Sequence, residues 1–126
     1  MKREAHESQN FRDLEVLRLG TEIALEVYRV TTSLPKAEAY GSVAQMGRAG
    51  VSIPSNIAEG FNRTHNKEYS HFLDTALGSC AELETQVELC CDLGYLDAGI
   101  RGQLLERLDH ETRMLRNLLK RIRAGT

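Results

Sequence analysis

Three cysteines, four histidines and a run of glutamates are the side chains of this 126-residue sequence most able to do chemistry. Cys90 and Cys91 are adjacent, which is not the C-x-x-C spacing of a dithiol redox site. Three thiols cannot form a fully paired disulfide framework, and no second cysteine pair completes a zinc site. Cys80 and Cys90 fall on an apolar helical line, where a free cysteine packs as a small hydrophobe; Cys91 is expected nearer the surface. His6, His65, His71 and His110 are scattered, with no H-E-x-x-H spacing. His65 and Glu68 stand three apart, but His71 is six from His65 and on another helical face. Glu82, Glu84 and Glu88, with Glu22 or Glu26 facing them, raise a carboxylate-bridged di-iron site. Such a site takes Glu-x-x-His from two helices, and this sequence has that spacing once, from Glu68 to His71. Gly47 and Gly50 are not followed by the Gly-Lys-Ser/Thr of a phosphate-binding loop. The expectation is no catalytic residue, no metal and no cofactor.

The most idiosyncratic stretch is Val51 to Gly60, VSIPSNIAEG. Ser52, Ser55, Asn56 and Glu59 surround Pro54 at near-helical spacing, and Arg48 precedes them by one turn. An interior proline leaves a backbone carbonyl without its donor, and Ser52 or Ser55 with Asn56 can supply one. The same groups could instead meet a ligand or partner. Arg48, Ser52, Pro54, Ser55, Asn56 and Glu59 therefore form a candidate partner or structural motif.

Four amphipathic helices must position these residues. Asn10 with Asp13 spells a capping box for the first. Two adjacent apolar lines follow it: Leu14, Leu17, Thr21, Ala24 and Tyr28, and beside them Val16, Ile23, Val27, Val30 and Leu34. Together they predict a broad stripe that contacts more than one neighbour. Pro35 ends this helix, because it forces Leu34 out of helical geometry. The second helix starts near Ala37 or Tyr40, carries Val43, Met46, Val51, Ile53 and Ile57, and stops at Gly60. Pro54 either kinks it or opens a short further helix, and the kinked helix is the favoured reading. Gly47, Ala49 and Gly50 would let a neighbour approach closely. In the third helix Tyr69, Leu73, Ala76, Cys80, Leu83, Val87 and Cys90 alternate steps of four and three, a bundle seam. Asp97 caps the fourth, whose seam is Ile100, Leu104, Leu108, Leu115, Leu118 and Ile122; Gly125 ends it. No stretch reads as a strand. The prediction is an all-α, antiparallel up-down-up-down four-helix bundle over residues 11–123, with a flexible polar arm at 1–10.

Composition agrees: 41% hydrophobic and 27% charged residues suit one soluble globular domain, long enough for its own core. No run is long enough to span a membrane, and MKREAHESQN lacks the apolar stretch of a signal peptide. The expected setting is a reducing cytoplasm. The net charge of −2 excludes a wholesale basic coat but not a local patch. From Glu68 to Ile100 there are seven acids and no lysine or arginine; after Glu111 there are five basic residues and no acid. One end of such a bundle gathers Lys2, Arg3, Arg12, Arg63, Lys67, Lys120, Arg121 and Arg123. Arg12, Arg63, Lys67, Lys120, Arg121 and Arg123 are the candidate nucleic-acid contacts. Basic residues late in a helix also simply complement its dipole.

Phe11 to Val16, VSIPSNIAEG, Phe72-Leu73, Ala76 to Ser79, Ala81 to Gln86 and Asp92 to Leu96 occur in an order that resembles a known family. These are the bacterial four-helix bundle proteins encoded in 23S rRNA intervening sequences, also called S23 ribosomal protein. More distantly the chain is similar to accessory proteins of diversity-generating retroelements. The resemblance implies a homopentameric ring of unknown biological role. Leu17 stands where the family has Trp, Gly47 before Arg48 where it has two basic residues, and His65 where it has a Ser cap. The function expected is a non-enzymatic, oligomeric binding or scaffold protein. The alternative is binding of structured RNA, or another nucleic acid, through the basic end.

Overall fold

The computed structural model describes residues 10–125, apart from the Tyr40 side chain. The expected arm, with Lys2, Arg3 and His6, lies outside the described residues except for Asn10. Among the described residues there are four long helices and no strand: α1 (Phe11–Thr31), α2 (Ala44–Phe61), α3 (Asn66–Asp92) and α4 (Ala98–Ala124). The capping box of α1 is present. Asn10 Oδ1 accepts from the Asp13 N–H at 3.2 Å, and Asp13 Oδ2 accepts from the Asn10 N–H at 3.3 Å. At the other end Thr31, Thr32 and Ser33 donate their hydroxyls to the carbonyls of Tyr28, Arg29 and Val30. Those bonds occupy carbonyls that the helix end leaves open. α1 thus closes at Thr31, before Pro35 could block it.

The run into α2 is composite. A 3₁₀ turn (Lys36–Glu38) passes into a π-helical turn (Ala39–Val43) before regular α-helix begins at Ala44. The Tyr95 hydroxyl donates to Glu38 Oε2 at 3.2 Å and ties this run to the α3–α4 connection. Pro54 lies inside one continuous helix and opens no second one. Gly60 does not stop α2, which continues to Phe61. The glycine is there for space: a Cβ at Gly60 would fall 2.9 Å from Cδ1 of the buried Tyr69 ring.

Pairs of contacting residues run in opposite chain order between neighbours, so the helices are antiparallel. Gly50 meets Val27, and Gly20 meets Ile53 and Ile57, across α1 and α2. Met46 lies against Cys90, and Ser52 against Ser79, across α2 and α3. Arg101 pairs with Glu88, and Arg123 with Asp74, across α3 and α4. Arg107 pairs with Glu26, and Arg121 with Asp13, which brings α4 back to α1. Val27 sits directly over Gly50, the close approach expected of that small residue.

The α3 seam is buried at every position from Tyr69 to Cys90. Ile23, Val27, Met46, Ile53, Ile57, Leu104, Leu108 and Leu115 close over it with no exposure. Each such aliphatic side chain stabilises the fold by about 1.5–3 kcal/mol relative to its exposed state. The two lines on α1 fare differently. Val16, Ile23 and Val27 are buried, whereas on the other line Leu14, Thr21 and Tyr28 face solvent, Leu17 is half-buried against the core and Ala24 is buried. The stripe meets two neighbours, α2 and α4, as its width predicts, but together they leave its Leu14 and Tyr28 edge uncovered.

Candidate interaction surfaces

The VSIPSNIAEG segment places its polar groups in two directions. Ser52 faces α3, where its Oγ lies 2.7 Å from Ser79 Oγ. Asn56 Nδ2 donates both to Ser52 Oγ at 2.9 Å and to the Ser52 carbonyl at 2.8 Å. The carbonyl that Pro54 leaves unserved is that of Gly50, four residues back. Asn56 therefore does not serve the expected carbonyl; it braces Ser52 in a polar tie between α2 and α3. Glu59 pairs with Arg63 one turn later. Arg48 and Ser55 point outward, are exposed, and line an open groove.

That groove runs between Tyr28 of α1 and Glu82 of α3, over a floor of Val43 from the π-helical turn and Gly47 and Val51 from α2. A Cβ at Gly47 would lie 3.9 Å from Tyr28 Cε1, an ordinary contact, so the Tyr28 ring packs beside this position without requiring glycine there. Tyr28 is 54% exposed, Leu25 48% and Val51 38%, an unusual display of large apolar side chains on neighbouring helices. Arg48 and Glu82 are both exposed, and among the described residues neither joins an ion pair. Leu25 and Tyr28 were not singled out as surface residues by sequence. The available signal was the second apolar line of α1, wider than one neighbour can cover.

The basic end assembles only in part. Arg63 pairs with Glu59 and lies over the Phe72 ring, 4.8 Å from its centroid. Arg121 reaches the buried Asp13 at 2.6 Å, and Arg123 reaches Asp74 at 2.5 Å. Three of the six candidate cations are thus neutralised by acids of this chain. Arg12, Lys67 and Lys120 are exposed and join no ion pair among the described residues. Arg12 lines one cleft with Phe11, His110 and Arg121. Lys67 and Arg123 line a second, and Lys120 shares a third with Arg116 and Arg123.

The residues weighed for metal and redox chemistry stay apart. Cys80, Cys90 and Cys91 are free thiols, and burial is the first cause that pushes Cys80 up to about 12 and raises Cys90. Glu22, Glu26 and Glu88 pair with Arg18, Arg107 and Arg101 instead of converging. His65 sits at the N-cap of α3 without a capping hydrogen bond, and the exposed His71 ring packs on Phe72. Among the described residues no group of three or more His, Cys, Asp or Glu could hold a metal ion.

The family model described as 23S rRNA-intervening sequence protein matches residues 12–117. The chain belongs to this family. The match spans the bundle from the first turn of α1 into α4, and it stops before Lys120, Arg121 and Arg123. A crystal structure of a protein with unknown function from the S23 ribosomal protein family of Bacteroides thetaiotaomicron VPI-5482 has the same fold, with a TM-score of 0.82. The two sequences are 21% identical, over 87% of this chain and 99% of that one. Among curated proteins there is no match. As a member of the 23S rRNA-intervening sequence family the chain is a small helical bundle, and none of its described helices is long and apolar enough to cross a membrane.

Proposed function

We propose that this family member is a non-enzymatic, self-associating helical scaffold of the cytoplasm. The observation that carries the reading is the uncovered side of α1, where Leu14, Leu25 and Tyr28 are exposed and Tyr28 borders one groove with Val51 of α2. Exposed large apolar side chains of this kind suit an interaction surface. Its occupant is a second copy of the chain. The groove bordered by Tyr28 carries Arg48 and Glu82, two exposed charges of opposite sign without internal partners. The resemblance read from the sequence implies a ring of five, which needs head-to-tail contacts between two different faces. This surface would supply one half of each contact, with Arg48 and Glu82 set against opposite charges on the other face of the next copy. Free Cys80, Cys90 and Cys91 fit a reducing compartment. Light scattering of the purified chain should give an oligomeric mass at micromolar concentration, and Leu25→Glu with Tyr28→Glu should reduce it to that of a monomer. A monomeric wild type would refute the reading.

A second reading rests on Arg12, Lys67 and Lys120, exposed cations without internal partners at one end of the bundle. Arg116, near Lys120, adds to them. They suit the phosphates of a structured RNA, and a ring would multiply so small a patch. Titration of a 23S-type RNA hairpin at low and physiological salt tests this. Salt-sensitive binding supports it, and no binding at low salt removes it.

A further inference from the structure

Leu104, Leu108, Glu111 and Leu115 step by four, three and four residues along α4, so Glu111 occupies a core position. Its side chain has no exposure, and neither carboxyl oxygen has a hydrogen-bond partner among the described residues. The carboxyl abuts Gly20 of α1. A Cβ built at Gly20 would fall 2.8 Å from Glu111 Oε2, 3.2 Å from Ile53 Cγ2 and 3.4 Å from Ile57 Cδ1. The missing side chain of Gly20 is the niche that the carboxyl fills.

The contact between α1 and α4 holds three buried acids: Asp13, Glu26 and Glu111. Asp13 pairs with Arg121 and Glu26 with Arg107, both cations coming from α4. Glu111 lies between those two arginines in the chain, as Gly20 lies between the two acids, and it has no cation of its own. Arg107, one turn earlier on α4, is held by Glu26. α2 presents Ile53 and Ile57 to the niche. α3 presents Cys80, whose thiol is pushed up to about 12, first by burial and then by Glu111, with Glu84 adding to it. None of these elements offers Glu111 a positive charge, and burial pushes its carboxyl up to about 8.

We infer that a proton on Glu111 takes the place that an arginine takes beside Asp13 and Glu26, and that its loss opens the contact between α1 and α4. The bundle would then contain a pH switch. An ionised carboxylate cannot stay in an apolar niche without a partner. Displacing α1 is a route by which water reaches it, because the backbone at Gly20 lies directly against it. The folded chain keeps this proton to about pH 8, whereas an unfolded glutamate releases it near 4.5. Unfolding therefore releases a proton between those values, and stability falls as pH rises through that window. The fall is up to about tenfold in the folding constant per pH unit, and it levels once both states are ionised.

The experiment compares wild type, Glu111→Gln and Glu111→Leu at one protein concentration, so that any self-association is held constant. Denaturant unfolding is measured from about pH 5 to about pH 9, with amide exchange followed helix by helix. The expected result is a steep loss of wild-type stability that both variants lack, with opening concentrated in α1 and α4. Equal pH slopes in wild type and Glu111→Gln would overturn the inference, as would opening spread evenly over all four helices. Should neither variant fold, wild type alone decides. An infrared band of a protonated carboxyl at neutral pH, lost at high pH, supports the switch, and its absence at neutral pH refutes it.

Discussion

At the residue scale, two glycines are required by what lies against them. Gly20 accommodates the Glu111 carboxyl, and Gly60 accommodates the Tyr69 ring, with built Cβ atoms at 2.8 Å and 2.9 Å from their neighbours. Glu111 and Tyr69 are both enclosed by core side chains, so neither can retreat into solvent. Gly20→Ala and Gly60→Ala should each destabilise the fold by about 1–3 kcal/mol through overpacking. Gly78 and Gly102 have nothing within 4 Å of an added Cβ and lie within α3 and α4. Alanine there should stabilise by about 0.4–1 kcal/mol, because it narrows the unfolded ensemble and suits a helix better. Chemical denaturation of the four variants checks both signs. A stabilising Gly60→Ala would mean that α2 and α3 stand farther apart than the Tyr69 contact shows.

At the scale of elements, the helix ends differ in how well they are capped. α1 begins with a complete capping box, and Asn10→Ala should cost about 1 kcal/mol. α3 begins at His65, extended at φ −103° and ψ 143°, with no side-chain capping bond, and Glu68 stands three residues on. His65→Ser supplies the hydroxyl for a capping box with Glu68, and should raise stability by about 0.5–1 kcal/mol. Thermal unfolding of the single variant reads the gain directly. The polar tie between α2 and α3 works the other way. Ser52→Ala leaves Ser79 without its neighbouring hydroxyl and Asn56 with one acceptor fewer. Its expected cost is about 1–2 kcal/mol, measured by the denaturant midpoint.

At the scale of the whole molecule, the basic end and the apolar side make separable predictions. Arg121→Ala removes the partner of buried Asp13, so it should lower stability whatever the chain binds. Arg12→Ala and Lys120→Ala break no ion pair among the described residues. Should RNA bind through this end, each should leave stability nearly unchanged and reduce the salt slope of binding by about one. A slope unchanged by both would move the RNA away from this end. Leu25→Glu with Tyr28→Glu should change the mass in solution and leave the helix content alone, because both side chains already face outward.

The amino-acid sequence by itself determined the four helices, the α3 seam, the Asn10–Asp13 box and the Asp97 cap of α4. Each depends on residues within two turns of one another, where side-chain spacing and backbone hydrogen bonding are local. Sequence reading stopped short where the deciding neighbour is remote. Gly60 resembled a helix stop until Tyr69 of the next helix was placed against it. Arg121 and Arg123 looked like free cations until Asp13 and Asp74 were brought to them, across separations of 108 and 49 residues. Glu111 stands at a seam spacing, but its charged type predicts a position facing water. Only the tertiary structure decided that α1 covers it, that no cation reaches it, and that one side of α1 is left uncovered. Burial and charge pairing belong to the assembled surfaces of four helices, and no stretch of one helix contains them.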